Sequence, residues 1–148
     1  REYLLDTYRM LSARLDIPLC ATENNEGGIY TTAEFIKCGA IGIARSDVSL
    51  KYGVMHVKKT GTLAEAFGMN LEVHTNPNPM LDAANLQVAL SLKNTEFFEQ
   101  FVPEDNVRYA TTDWLRIDDA GYVHAPAGPG HGIAIDWDYV KANTIAQL

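Results

Sequence analysis

The stretch Asn70-Leu-Glu-Val-His-Thr-Asn-Pro-Asn78, "NLEVHTNPN", decides how the chain is read. "NLEV" has the length and apolar character of a short strand. The strand stops on His74, the side chain whose charge changes nearest neutrality. Asn76, Pro77 and Asn78 turn the chain away, and Pro79 opens "PMLDAANLQVALSLK" (79–93), a strong helical segment with proline at its first turn. The stretch is therefore one strand, one turn and one helix start, with a proton-transfer group at the junction.

The same unit recurs on both sides. Upstream, Tyr3, Leu4, Leu5, Tyr8, Leu11 and Leu15 have helical spacing. "IPLCAT" (17–22) reads as a short buried strand, and "TTAEFIKCG" as a helix capped by Thr31 or Thr32 and stopped by Gly39. "AIGIAR" (40–45) is again a strand, and "YGVMHVKKTGTLAEAFG" (52–68) a helix ending on Gly68. Downstream, "TEFFEQF" (95–101) is expected to be the fourth strand. Strands of about five residues alternating with helices signal parallel βαβ units, and their apolar character suits strands buried in a parallel sheet. After Phe101 the pattern changes to turn signals at Pro103, Gly121, Pro126, Gly128, Pro129, Gly130 and Gly132. "GYVHAP" and "GIAID" are expected as short antiparallel strands or irregular segments.

With 148 residues, 47% hydrophobic and 21% charged, the chain is long enough for one domain with a core. A net charge of −7 argues against a nucleic-acid surface, which needs a basic face. No apolar run reaches the roughly 18–20 residues that span a bilayer. "REYLLDTYRMLSARLD" is charged throughout, unlike a signal peptide. Cys20 and Cys38 form neither a disulfide framework nor a CxxC pair, and are expected as reduced, buried thiols of a cytoplasmic protein.

Each strand is followed by a polar side chain able to do chemistry: Glu23, Asp47, His74 and Glu99, separated by 24, 27 and 25 residues. A parallel barrel or open sheet would bring all four to the carboxyl edge of its strands, where such folds place their sites. Any one of them could equally be a helix cap or a solvated loop residue; four in register favour a site. If Asp47 touches His74, the carboxylate orients the imidazole and stabilises its charged form, making a general acid or base. Glu23 offers oxygen to a hard cation, although one carboxylate is too few for Mg²⁺. A protonated Glu99 could hydrogen-bond a substrate acid. Asn24, beside Glu23, could reach a ligand. His56, His124 and His131 are read as surface or packing residues, and Lys51, Lys58 and Lys59 as solvated helix charges. "GPGHG" lacks the ending of a phosphate loop.

Together "PLCATENNEGG", "IARSDVSLKYG", "LEVHTN", "FFEQFVPED" and "PGHGIAIDWD" resemble the C-terminal half of an enolase-superfamily enzyme of the mandelate racemase subgroup. The resemblance implies an α/β fold, the C-terminal half of a (β/α) TIM-type barrel over residues 1–102. Residues 103–148 would return toward a capping domain absent from this chain. It implies that Asp47 and His74 are the catalytic dyad of the sixth and seventh strands, that Glu23 is the third metal-binding acid, and that Glu99 is the hydrogen-bond donor on the last strand. It further implies a Lys-rich strand and two more metal acids lying before Arg1. "IARSD" departs from the "QPD"-like ending common before the dyad acid, which bears on substrate contacts.

The reaction so implied is abstraction of the proton α to a carboxylate, through an enediolate stabilised by Mg²⁺. Dehydration of an acid sugar is the favoured outcome, with racemisation or epimerisation of a 2-hydroxy acid as the alternative. The implied partners are a small-molecule carboxylate, the remainder of the same enzyme and further copies in a homo-oligomer, with no nucleic acid and no membrane. Were residues 1–148 an entire product, the open strand edges would point instead to an inactive fragment or binding module.

Overall fold

Residues 4–146 are described by a computed structural model of the chain. Tyr3, expected on the first helix, lies outside them. The elements run α1 (Leu5–Ser12), β1 (Cys20–Ala21), α2 (Gly28–Lys37), β2 (Ile43–Ser46), α3 (Val54–Ala66), β3 (Leu71–Val73), α4 (Pro79–Leu90), a 3₁₀ turn (Glu104–Val107) and α5 (Trp137–Asn143). The three strands form a parallel sheet in the order β1-β2-β3. Ala44 pairs with Ala21 on one side and Leu71 on the other, and Ser46 pairs with Val73.

The pleat sends alternate residues to opposite faces. Ala44, Ser46, Leu71 and Val73 face the helices and are buried. Ala44, Leu71 and Val73 join Phe35, Ile36, Ala40, Ile41, Val57, Ala64, Ala84 and Val88 in the main core. Each fully buried Val or Leu there contributes about 1.5–3 kcal/mol relative to exposure. Ile43, Arg45 and Glu72 lie on the other face and are only half-buried. The strands are thus apolar on one face, not through most of their length. Gly61 lets the end of α4 approach α3, since a Cβ there would stand 2.6 Å from Leu92 Cδ2.

Several local expectations are corrected. Helix α2 begins at Gly28 with Gly27 as its cap, so Thr31 and Thr32 lie inside it. Thr31 Oγ1 donates to Glu26 O, and Thr32 Oγ1 donates to Thr22 Oγ1 at 3.2 Å and Gly28 O at 3.3 Å. Helix α3 starts two residues later than expected because Tyr52 and Gly53 have φ of +58° and +89°. The fourth strand is reduced to one parallel bridge between Phe98 and Val73. Its other tethers to the β3 segment include side-chain bonds: Thr95 Oγ1 donates to Leu71 O and Thr75 Oγ1 to Glu99 O, both at 2.9 Å. In the tail, "GYVHAP" and "GIAID" contribute single antiparallel bridges, Ile117 with Val123 and Thr111 with Ile135. Helix α5 was not expected; Asp136 caps it by accepting from the N–H groups of Asp138 and Tyr139 at 3.1 and 2.9 Å.

Candidate active site

The strand ends converge at the carboxyl edge of the sheet. Asp47 directly follows β2 and His74 directly follows β3. His74 Nδ1 lies 2.8 Å from Asp47 Oδ2. The carboxylate is fully buried, while the imidazole remains 27% exposed. Asp47 is held from several sides. Its Oδ1 accepts from the backbone N–H and the hydroxyl of Ser49 at 2.6 and 2.7 Å. Its Oδ2 also accepts from Asn76 Nδ2 at 3.1 Å. Burial pushes this carboxyl up, but the bonds from His74, Ser49 and Asn76 outweigh it and hold the group below its ordinary value. The pair is thus a fixed anion against an orientable imidazole, with Nε2 left outside that contact.

Arg45 organises the remaining acids. It sits two residues before Asp47, on the half-exposed face of β2. Its Nη2 donates to Glu99 Oε2 at 2.6 Å, and its Nε lies 3.6 Å from Glu23 Oε1. The Thr75 N–H also donates to Glu99 Oε2 at 3.1 Å, so the residue after His74 ties Glu99 to the dyad. Glu99 Oε2 therefore accepts from both of these partners. Arg45, Glu99 and Glu72 line an open groove with Cys20, Ile43 and Phe97. Cys20 is exposed and Cys38 half-buried, both as free thiols, so the expectation of two buried cysteines fails.

The path of the chain into Glu23 is strained. Thr22, buried and β-branched, holds a φ of +101°, which such residues rarely adopt. Two side-chain bonds fix it there: Thr22 Oγ1 donates to Arg45 O at 3.0 Å and accepts from Thr32. Glu23 Oε2 is buried with no hydrogen-bond partner, as a ligand oxygen would be. That suits one bond to a cation, but among the described residues no three His, Cys, Asp or Glu side chains converge. Mg²⁺ would need further ligands from outside this chain. Asn24 Nδ2 stands 3.5 Å from Glu23 Oε1, at the limit of contact, and its side chain is exposed.

Sequence reasoning missed several residues around the site. Lys51 is buried rather than solvated; it lies in the turn after β2, where its Nζ donates to Asn25 O. Asn76 was read as a turn former only. Asp82 and Asn85 stand three apart in a largely apolar helix and are both buried. That spacing places them on one helix face, and it was the available signal. The other histidines lie elsewhere: His56 stacks edge-on to Tyr52 at 5.3 Å, His124 pairs with Asp118 at 2.7 Å, and His131 is exposed.

A parallel βα layer with an Asp–His pair and two acids at its carboxyl edge is an arrangement that barrel folds use at their sites. The chain belongs to the enolase C-terminal domain-like family, MR_MLE_C, whose model matches residues 2–139. It is 31% identical over 139 residues to a D-galactonate dehydratase of Variovorax paradoxus, covering 87% of this chain and 35% of that protein. Among solved structures, a candidate mandelate racemase/muconate lactonizing enzyme of Pseudovibrio sp. superposes with a TM-score of 0.93 at 34% identity, covering 98% of this chain and 39% of the other. D-glucarate dehydratase of Agrobacterium tumefaciens, complexed with magnesium, superposes with a TM-score of 0.85 at 36% identity, covering 96% and 37%. The chain thus spans just over a third of the length of these relatives. Among the described residues no helix is long and apolar enough to cross a membrane.

Proposed function

We propose that this chain supplies the dyad half of the active site of a Mg²⁺-dependent enzyme that removes the proton α to a carboxylate, and that the net reaction is dehydration of an acid sugar. The observation that carries this reading is the 2.8 Å contact between His74 Nδ1 and Asp47 Oδ2. With Nδ1 engaged, Nε2 is the nitrogen that gives or takes a proton. In dehydration, a base supplied by the rest of the enzyme takes the α-proton. The electron pair of that carbon–hydrogen bond forms the carbon–carbon double bond as the β carbon–oxygen bond breaks. His74 as imidazolium donates its Nε2 proton to the departing hydroxyl so that water leaves, and the resulting enol tautomerises to the keto acid. Asp47 stabilises the imidazolium before that transfer and fixes its orientation. Glu23 would hold the cation with ligands from the rest of the enzyme. When bound, Mg²⁺ supplies positive charge that stabilises the substrate carboxylate as negative charge builds on it. Glu99, set by Arg45 and Thr75, hydrogen-bonds the substrate or intermediate, and Asn24 contacts the substrate.

The dehydratase relatives support dehydration over racemisation. Residues 1–102 would be the last part of the barrel and residues 103–148 the return toward a capping domain. The test uses the full-length protein with Mg²⁺ and a panel of acid sugars including D-galactonate, D-gluconate and D-glucarate. A keto-deoxy acid product is expected, and His74→Asn should lower kcat by about 10²–10⁴-fold. Full turnover by the variant on the best substrate would remove His74 from the mechanism.

A further inference from the structure

We propose that Asn85 of α4 is a positioning residue that sets the distance and orientation of the His74–Asp47 pair by bridging the two strand ends that carry it. The proposal rests on the reading of His74 and Asp47 as the proton-transfer pair. Asn85 lies on the helix following β3 and is fully buried. Its Nδ2 donates to His74 O at 2.9 Å, and its Oδ1 accepts from the Val48 N–H at 3.0 Å. One partner is the backbone of His74 itself, and the other is the residue next to Asp47. A carbonyl can only accept and an N–H can only donate, so these partners fix the amide orientation without ambiguity.

The two loops would otherwise be joined at their tips chiefly through the dyad and Asn76. Asn85 adds a rigid brace, one amide wide, anchored to a packed helix. Its neighbour one turn earlier acts in the same direction: Asp82 Oδ1 accepts from the Asn76 N–H at 3.1 Å, and Asn76 Nδ2 reaches both Asp47 Oδ2 and Ser49 Oγ. Helix α4 therefore grips the backbone on either side of the dyad through two buried polar side chains. Asn85 is fully buried, with both ends of its amide bonded to backbone, so it is not placed to touch substrate. A buried amide in an apolar helix costs desolvation unless both its ends are bonded, and here both are.

The test uses the full-length protein loaded with Mg²⁺, and it reads the downfield Nδ1–H proton signal of His74, assigned by its loss in His74→Asn. Asn85→Leu, close in volume but unable to bridge, should abolish the signal while the protein stays folded by circular dichroism. Asn85→Asp is the second variant. Protonated, its carboxyl can still donate to His74 O; ionised, it cannot. Its signal should be present at low pH and fade as pH rises, where the parent signal persists. The titratable groups nearby are Asp47 and His74 at the strand ends and Asp82 on the same helix. On a substrate turned over by the parent, Asn85→Leu should lower kcat about 10- to 100-fold with KM nearly unchanged. An unaltered His74 signal in folded Asn85→Leu, or a KM effect without a kcat effect, overturns the proposal. Full activity of His74→Asn would instead overturn the reading of the dyad, whatever Asn85 does.

Discussion

Arg45 Nη2 meets Glu99 Oε2 at 2.6 Å. The same oxygen also accepts from the Thr75 N–H, so the position of the Glu99 carboxyl is set from two sides. Arg45→Met should therefore free Glu99 and alter substrate binding. Because Glu99 is 45% exposed in the pair, the stability cost should stay within about 1 kcal/mol, whereas KM should rise about tenfold. Denaturant titration beside steady-state kinetics checks both; a large stability loss with unchanged KM would make the pair structural.

Asp47→Asn keeps the shape of the side chain but gives up the anion that faces His74. The bonds from Ser49 persist in part, so the fold should survive. Proton transfer at His74 should fall about 10²–10⁴-fold, close to the loss in His74→Asn, and the two changes together should cost little more than either alone. Additive losses in the double variant would show that the two residues act separately.

Burial raises the Asp82 carboxyl to about 7; the Asn76 N–H and His74 pull against that rise, while Asp47 and Glu99 add to it. The native state thus keeps a proton that the unfolded chain releases near 3.8. Between those values the native form binds more protons, so this group's contribution to stability falls as pH rises and levels off above about 7. Asp82→Asn should flatten the decline in Tm between about pH 5 and pH 8 and raise Tm at the upper end. An identical pH profile in parent and variant would contradict it.

Asn78 caps α4 by accepting from Met80 N and Leu81 N at 3.1 and 3.2 Å. Asn78→Ala should cost about 1 kcal/mol by denaturant titration. Asn78→Ser should recover most of it, because the serine hydroxyl can take the same bonds.

The helices and strands that pack the core were legible because their signals are local: apolar spacing, glycine stops at 39 and 68, and Pro79 at the first turn of a helix. The edge positions of Glu23, Asp47, His74 and Glu99 followed from the strand ends. Long-range bonds were not legible. Arg45 entered only as part of "IARSD", and its place between two acids is set by the fold. Lys51 looked solvated because nothing local shows that the turn after β2 folds over the loop of Asn25. The segment at 95–101 has a strand's composition, yet its tethers to β3 include the hydroxyls of Thr75 and Thr95, and a backbone ladder barely forms. Sequence periodicity reports which face is buried, but not which polar atoms meet there.

Helix α4 packs Ala84, Val88 and Ala89 into the core with one set of side chains and braces the dyad with another. The two tasks share one rigid body. Two carbons lost beneath the helix, as in Val88→Ala, would let α4 settle by a fraction of an ångström, and the brace would carry that displacement to the imidazole. On the reading proposed above, turnover then registers a change of packing beneath α4 that no contact within the site itself would reveal.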